Sequence, residues 1–400
     1  MSITSNFTAA VKQHWADMFQ ENLEKGLVGM QIVKEENIPN GTTKNLPYIN
    51  YQKPVSYTKY TAVTSVPTIT GNDTLVITDT PMVPFEIDQI DIDDNYLDVT
   101  PELISEAGYM LRSEVDGAIM NQGLQANNFY NNDGLNVNVA GAPVALSLSS
   151  GVGYIPTVVG TPKARLKAAG VDPNEMFLVI DSEMVEQIED LKIEKGFATS
   201  DAALVGTAGY RGNFKGIRTL ESNNLTAVRT LAMATNPTAG DTVTFLGNVF
   251  TYVASIGTTP GNILIGANVA ATRANTIAAF NGAAGAGTTY VAIADQSTLA
   301  GVVASSGTNA IVFTSYRGRT YASSNLTATS DKFGAETVYA FITAKGAIRL
   351  ALRDSVQIKQ DSDPDSLVYK FKVWSRFGLK TPTRGKAKMC YLAIQGAAAE

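Results

Sequence analysis

Asp91, Asp93, Asn95 and Glu102 stand at positions one, three, five and twelve of a calcium-loop register. That register needs glycine at position six, where this chain has Tyr96, and Pro101 starts a helix too early for the remaining ligands. The four are the only metal-ligand candidates, and the plainer reading is a solvated or subunit-facing acidic strand. His14 is the single histidine, so two-histidine zinc signatures are impossible and a Ser–His–Asp triad would have to use it. Beside Trp15 on a helical pattern, His14 reads as a surface or docking residue. Cys390 is the single cysteine, which excludes an intrachain disulfide and a cysteine zinc site. Its setting, Met389-Cys390-Tyr391-Leu392, reads as buried strand. Gly385-Lys386 lacks the Ser or Thr and the upstream glycine of a phosphate loop, and Gly206, Gly209 and Gly212 are wrongly spaced for a dinucleotide turn. Carboxylate pairs for glycoside cleavage leave no mark in local spacing, and nothing here points to them. The expectation is a protein with no catalytic residue and no cofactor.

Composition bounds the class. Four hundred residues can bury a large core and correspond to about two or three domains. Only 17 % of residues are charged. A surface so poor in charge relies on Ser, Thr and Asn for solubility, or is hidden against copies of itself. The net charge of −6 argues against a nucleic-acid reader that neutralises phosphates with a basic surface. The N-terminus has no basic segment followed by an apolar run, so no signal peptide is expected. No segment approaches the ~20 apolar residues of a membrane span.

The elements that position these residues are read from periodicity. Val11, Trp15, Met18, Phe19 and Leu23 recur at helical spacing over residues 5–25, with Ser5 or Asn6 as cap and Gly26 as stop. This stripe docks on its own domain or on a neighbouring subunit; the pattern fixes the face and not the partner. Residues 38–84 are rich in Pro, Gly, Thr and Tyr, with alternating runs at 45–51, 55–63 and 74–78 and a turn signal at Gly71-Asn72-Asp73. They read as a long β-hairpin or extended arm, whose backbone edges need covering, as by a strand from another subunit. Phe85 and Ile87 then alternate with Glu86 and Asp88, as in a half-buried strand. Thr100 caps a long helix, with Pro101 in its first turn and Glu102 suited to the dipole. Ile104, Ala107, Gly108, Leu111, Val115, Ala118 and Ile119 share one face of it, and Arg112 and Asp116 are spaced to pair. At about 25 residues this helix would be ~37 Å long.

Residues 121–160 are rich in Asn, Gly and Ser and read as a loop with one weak strand. Thr161-Pro162 opens a second helix that Gly170 closes. Met176–Ile180 is a buried strand, and Asp181-Ser182 caps a third helix with Met184, Val185, Ile188 and Leu191 inward and Gly196 as its stop. This succession indicates an α/β or α+β layer. Between Glu221 and Lys332 there is no Lys and no Glu, and the stretch is bracketed by Asn224-Leu-Thr-Ala227 and Asn325-Leu-Thr-Ala328. The match is either coincidence or the similar entry and exit strands of an inserted domain. Inside it, Gly247-Asn248 reads as a two-residue hairpin turn, 271–280 as a helix, and 289–293 and 310–316 as strands. Thr337–Ile342, Leu367–Phe377 and Ala387–Ile394 close the chain as strands, with Tyr369, Phe371, Val373, Ser375 and Phe377 on one face and a turn at 361–365.

Several words of the sequence, in this order, resemble the major capsid protein of tailed bacteriophages, with its Hong Kong ninety-seven fold. His14-Trp15 through Glu24 looks like that family's opening helix, Pro84 through Asp91 like its strand into the spine, and Glu114 through Ile119 like the close of the spine helix. Asn174 through Ile180, Gly209-Tyr210, Lys215-Gly-Ile217 and Ser222 through Leu225 look like its central domain. Ala340-Phe341 to Leu350 and Arg376-Phe377-Gly378 to Pro382 look like its closing strands. The resemblance implies an α+β capsid fold: an N-arm at 1–37, an extended β-hairpin E-loop at 38–84, a P-domain strand and spine helix at 85–160, part of the A-domain at 161–226, and returning strands at 332–400. Residues 227–331 have no counterpart in the minimal fold and read as a small inserted α+β domain, a surface knob or an inter-subunit brace.

The implied function is structural. Copies of the chain would form hexamers and pentamers tiling an icosahedral virion shell, assembled in the host cytoplasm around double-stranded DNA whose sequence is not read. A portal and a separate scaffolding protein are implied partners, the latter because only a short segment precedes the first helix. The arm would lie over a neighbour, with Trp15, Phe19, Tyr51, Tyr57, Asp88 and Asp91 as contact candidates. Deleting residues 41–80 is expected to leave a folded chain that does not assemble. Competing readings are an encapsulin-like compartment shell and a phage tail or surface adhesin.

Overall fold

The computed structural model describes residues 28–38, 41–49, 54, 56–62, 70–88, 100–137, 141–194, 210–299, 301–316, 318–328, 331–362 and 368–396. They fall in two compact units, Met1–Arg112 with Lys345–Lys386 and Ser113–Ala344 with Ala387–Glu400. The fold is α+β. The helix expected at residues 5–25 lies outside the described residues.

In the first unit, strands β1 (Lys34–Glu35), β2 (Thr43–Ile49), β3 (Thr70–Val76) and β4 (Met82–Asp88) precede helix α1 (Thr100–Asn121). Two long strands return later, β18 (Arg349–Ser362) and β19 (Val368–Lys380). They pair antiparallel in a sheet of order β1-β18-β19-β4. Phe371, Val373, Ser375 and Phe377 form the buried face of β19, as the alternation predicts. Phe85 of β4 stacks on Phe371 at 5.0 Å between centroids, and the register sets Glu86 opposite Lys370. The sequence reading missed β18, whose ladder is broken by irregularities between Leu352 and Gln357.

β2 and β3 make a separate two-stranded hairpin. Two expectations need correcting. Gly71-Asn72-Asp73 is not a turn: it lies inside β3, opposite Tyr48, Pro47 and Leu46. The Tyr48 ring occupies the space where a Gly71 side chain would stand, and Asp73 accepts from the Thr383 N–H (2.8 Å) and hydroxyl (3.0 Å). The run at 55–63 contributes no strand among its described residues; 59–60 is a turn. Leu75 and Ile77, with Ile38 and Ala351, form the small core at the hairpin base. A deletion of 41–80 would therefore destroy that core.

α1 is 22 residues long, which gives ~33 Å. Ala107, Leu111, Val115 and Ile119 are buried on one face, as their spacing dictates.

The second unit is built on a ten-stranded sheet. Its elements are β5 (Asn128–Asn131), β6 (Gly134–Val137), α2 (Ile155–Ala168), β7 (Met176–Ile180), α3 (Ser182–Glu194), β8 (Tyr210–Phe214), β9 (Ile217–Glu221), β10 (Ala227–Ala232), β11 (Thr242–Phe245), β12 (Asn248–Val253), β13 (Asn262–Leu264), α4 (Val269–Asn281), β14 (Val302–Gly307), β15 (Ala310–Ser315), β16 (Ala322–Asn325), β17 (Thr337–Ala344) and β20 (Met389–Gln395). β17 is the hub. It pairs with β20 along one edge, and with β10 and then β7 along the other. β7 is buried at every position, and Cys390 sits fully buried in β20. Residues 121–160 are more ordered than their composition suggests, forming the β5–β6 hairpin and the start of α2. α2 begins at Ile155-Pro156 and carries Pro162 inside it, so Thr161-Pro162 is not its start. Gly170, at φ +83°, does end it.

Residues 227–331 build a core around Phe245, Phe250, Phe280 and Phe313, which Phe333, just beyond the stretch, completes. Phe250 stacks on Phe280 at 4.2 Å, and Phe245 and Phe313 approach Phe280 edge-on. The β11–β12 turn is Leu246-Gly247, both at positive φ, one residue before the expected pair. Residues 289–293 contribute only bridges at Tyr290, not a strand. The two Asn-Leu-Thr-Ala words are not equivalent, since Ala227 begins β10 whereas Asn325 ends β16. β10, β15 and β14 extend the central sheet. Two carboxylates clasp the base. Asp241 accepts from Thr238 N (2.8 Å), Thr327 N (3.1 Å) and Thr327 Oγ1 (2.7 Å). Asp331 accepts from Ala234 N (3.0 Å), Thr235 N (2.9 Å) and Thr235 Oγ1 (2.6 Å).

Candidate assembly surface

Exposed apolar side chains of the first unit gather on the β2–β3 hairpin and the segment joining its strands: Ile49 is 58 % exposed, Tyr57 68 % and Tyr60 89 %, with Val76 of β3 also outward, as are Met82 of β4 and Tyr109 and Met110 of α1. Burial alternates along β2, half-buried on one face of the hairpin and exposed on the other, and among the described residues β2 pairs with β3 alone. A two-stranded hairpin is marginal in water alone, and its free edges template another strand. The base is anchored by close backbone approach. A side-chain carbon on Gly378 of β19 would stand 2.2 Å from the Val76 carbonyl oxygen, so only glycine lets these strands meet.

A second concentration of polar groups lies in the second unit, at the start of α3. Arg319 donates from Nε to Asp181 Oδ2 (2.6 Å), and its terminal nitrogens pair with Asp181 and Glu183. Glu336 accepts from the Thr320 N–H and hydroxyl, both at 2.6 Å, and lies 3.8 Å from Arg229 and 3.9 Å from Arg319. Burial disfavours the charge on Arg319, but Asp181, Glu183 and Glu336 outweigh it and hold its pKa above the ordinary guanidinium value. Burial also works against Arg229, and there Glu336 does not compensate, so its pKa falls. The cluster borders a cleft of about 460 Å³ lined by Ser182, Glu183, Glu186, Arg229, Arg319 and Tyr321, among others. Arg319 is bonded to Asp181 and Glu183, and Glu336 to Thr320, so these charged groups hold one another in place.

Sequence reading missed this cluster because its members are scattered from 181 to 336 and meet only in the fold. One signal was available. Arg229, Arg273, Arg317 and Arg319 are the only basic residues between Glu221 and Lys332, and a lone arginine in an uncharged stretch needs a partner.

Of the contact candidates, Tyr57 is exposed, and Asp88 ends β4 opposite Val368. Trp15, Phe19, Tyr51 and Asp91 lie outside the described residues, as do His14, Asp93 and Asn95. Glu102 falls in the first turn of α1. Among the described residues no group of three or more His, Cys, Asp or Glu side chains could hold a metal ion. No described helix is long and apolar enough to cross a membrane. Burial raises the Cys390 thiol pKa far above its ordinary value, which leaves it an inert core residue.

No family model matches this chain, and no curated protein does. Among solved structures, it is similar to a capsid chain of Cyanophage P-SCSP1u, at 12 % identity over 93 % of this chain and 89 % of that one, with a TM-score of 0.48. The mature capsid of bacteriophage PhiM1 is similar at 9 % identity over 92 % and 87 % of the two chains, with a TM-score of 0.48. The capsid of an empty GTA particle is similar at 10 % identity over 92 % and 89 %, with a TM-score of 0.46.

Proposed function

We propose that this chain is a shell-forming structural protein, the major capsid protein of a tailed double-stranded DNA phage. The observation that carries the reading is the arm: a hairpin whose two strands, among the described residues, pair only with each other, with outward Ile49, Tyr57 and Tyr60 and a close approach to β19 at Gly378. A neighbouring copy supplies the missing cover. Stability then belongs to the assembly as well as to the monomer. The order of words along the sequence supports the same reading.

In this account copies associate as hexamers and pentamers in an icosahedral shell, formed in the host cytoplasm with a separate scaffolding protein and a portal. The shell encloses DNA without reading its sequence, which suits a chain of net charge −6. Trp15, Phe19, Tyr51, Tyr57, Asp88 and Asp91 are the contact residues to test first. The role is structural, with no reaction catalysed.

The test is to replace residues 50–69 by Asn-Gly, closing β2 onto β3 with a two-residue turn and keeping Leu75 and Ile77 in place. The trimmed chain is expected to melt within a few degrees of the full chain and to form no shells in sedimentation. Shells from the trimmed chain would remove the arm from the account.

A further inference from the structure

α2 and α3 present outward faces of opposite charge. α2 contains no acidic residue. Arg165 and Lys167 are exposed and Lys163 half-exposed, and Lys215 in the β8–β9 turn joins them. Lys163 donates to the Lys215 carbonyl, and Lys215 Nζ donates to the Pro156 carbonyl (2.7 Å), so both ammonium groups are held on this side. The dipole of α2 favours Arg165 and Lys167 near its C-terminus but does not account for Lys163 or Lys215. The next carboxylates in the chain, Asp172 and Glu175, lie beyond the helix end.

α3 shows the reverse. Glu186, Glu189 and Asp190 are exposed, and all lie past the first turn, where the dipole would favour them. With Glu183 they form one acidic stripe that runs into the cleft at the helix start. Arg229 is 3 % exposed, yet among the described residues its Nε and Nη1 find no acceptor, and buried Asp181 Oδ1 finds no donor. A buried guanidinium without an acceptor is costly. A second cleft of about 280 Å³, lined by Asp181, adjoins the first through Ser182, Arg319 and Tyr321, and Tyr321 is 77 % exposed. These unsatisfied polar atoms lie beneath the clefts at the end of the acidic stripe.

We propose that the basic face of α2 and the β8–β9 turn in one copy docks against the acidic α3 face and its cleft in the next copy. This rests on the assembly reading and names the contact that would close a ring. Two different faces of one chain make a head-to-tail interface, which closes when the rotation between copies is a whole fraction of a turn. Charge complementarity steers the approach and fixes the register.

Charge reversal tests it in the full-length protein. Ala164→Glu, Arg165→Glu and Lys167→Glu together outnumber Lys163 and Lys215 and make both faces acidic, and Glu186→Lys, Glu189→Lys and Asp190→Lys together outnumber Glu183 and make both basic. Each variant alone is expected to raise the concentration needed for assembly about tenfold or more, with circular dichroism and melting close to wild type. The milder Arg165→Gln with Lys167→Gln is expected to fall between, which separates lost docking from lost folding. The variant carrying both sets is expected to assemble again. Mixing the two reversed proteins is the decisive arm. Copies must then alternate around a ring, so rings of six are expected to return, whereas rings of five and closed shells are not. Overturning results are a reversal of either face alone that assembles like wild type, or a mixture that restores nothing while the variant carrying both sets does, which places the contact within one copy. Loss of duplex DNA retention, with assembly intact, would reassign the basic face to nucleic acid. If the wild-type chain itself never assembles, the assembly reading fails first.

Discussion

Arg229 and Glu336 are both almost fully buried and sit 3.8 Å apart. Removing one partner of such a pair leaves the other charge stranded, at a cost of about 3–5 kcal/mol, whereas replacing both with apolar groups is often neutral. Glu336→Ala is therefore expected to lower the melting temperature sharply, and adding Arg229→Met should recover most of the loss in a double-mutant cycle. Asp241 gives a pH signature. Burial raises its pKa, but the Thr327 hydroxyl and N–H and the Thr238 N–H outweigh this and hold it below the usual carboxylate value. A carboxyl depressed on folding contributes fully above its unfolded pKa of about 3.9, and that contribution is lost as pH falls through the lower folded value. The stability gap between wild type and Asp241→Asn, measured by denaturant titration, is expected to be widest near neutrality and to shrink below pH ~4. Gly378→Ala drives a methyl group into the Val76 carbonyl and should cost about 1–3 kcal/mol, loosening the arm. The sequence placed Cys390 correctly because its apolar neighbours are adjacent in the chain. It did not reveal Arg229 or Asp241, whose partners lie 107 and 86 residues away.

Elements with a strong local period were readable. α1 buries Ala107, Leu111, Val115 and Ile119 as predicted, and β7 and β20 lie where continuous apolar runs placed them. Where reading failed, tertiary contacts had overridden local signals. Gly71-Asn72-Asp73 has turn composition, but pairing with Tyr48 and the bonds to Thr383 draw it into a strand. Proline's preference for first turns predicts a helix start at Thr161-Pro162, yet Ile155-Pro156 starts the helix. Leu246 accepts φ +47° in the β11–β12 turn, which moves the turn one residue earlier. The stretch 227–331 was legible as a change in composition, but its sharing of the central sheet was not. Its stability should rest on the phenylalanine cluster. Phe280→Ala is expected to cost about 3–5 kcal/mol and to speed amide exchange in β11, β12 and β15.

At the scale of the whole molecule, low charge, exposed arm residues and faces of opposite sign all fit the proposal that copies of the chain meet. The order of elements along the chain was readable from sequence, because turn signals and periodicity follow the chain. The surfaces were not, because exposure is a property of the folded molecule. The most direct measurement is electron microscopy of the purified full-length protein, alone and with a co-expressed scaffolding protein, followed by nuclease treatment of any particles recovered from infected cells. The account predicts closed shells built from rings of five and six, with DNA protected inside. A monodisperse monomer under every condition, scaffold present, would contradict it, and shells holding protein cargo without DNA would contradict the assignment to a phage genome.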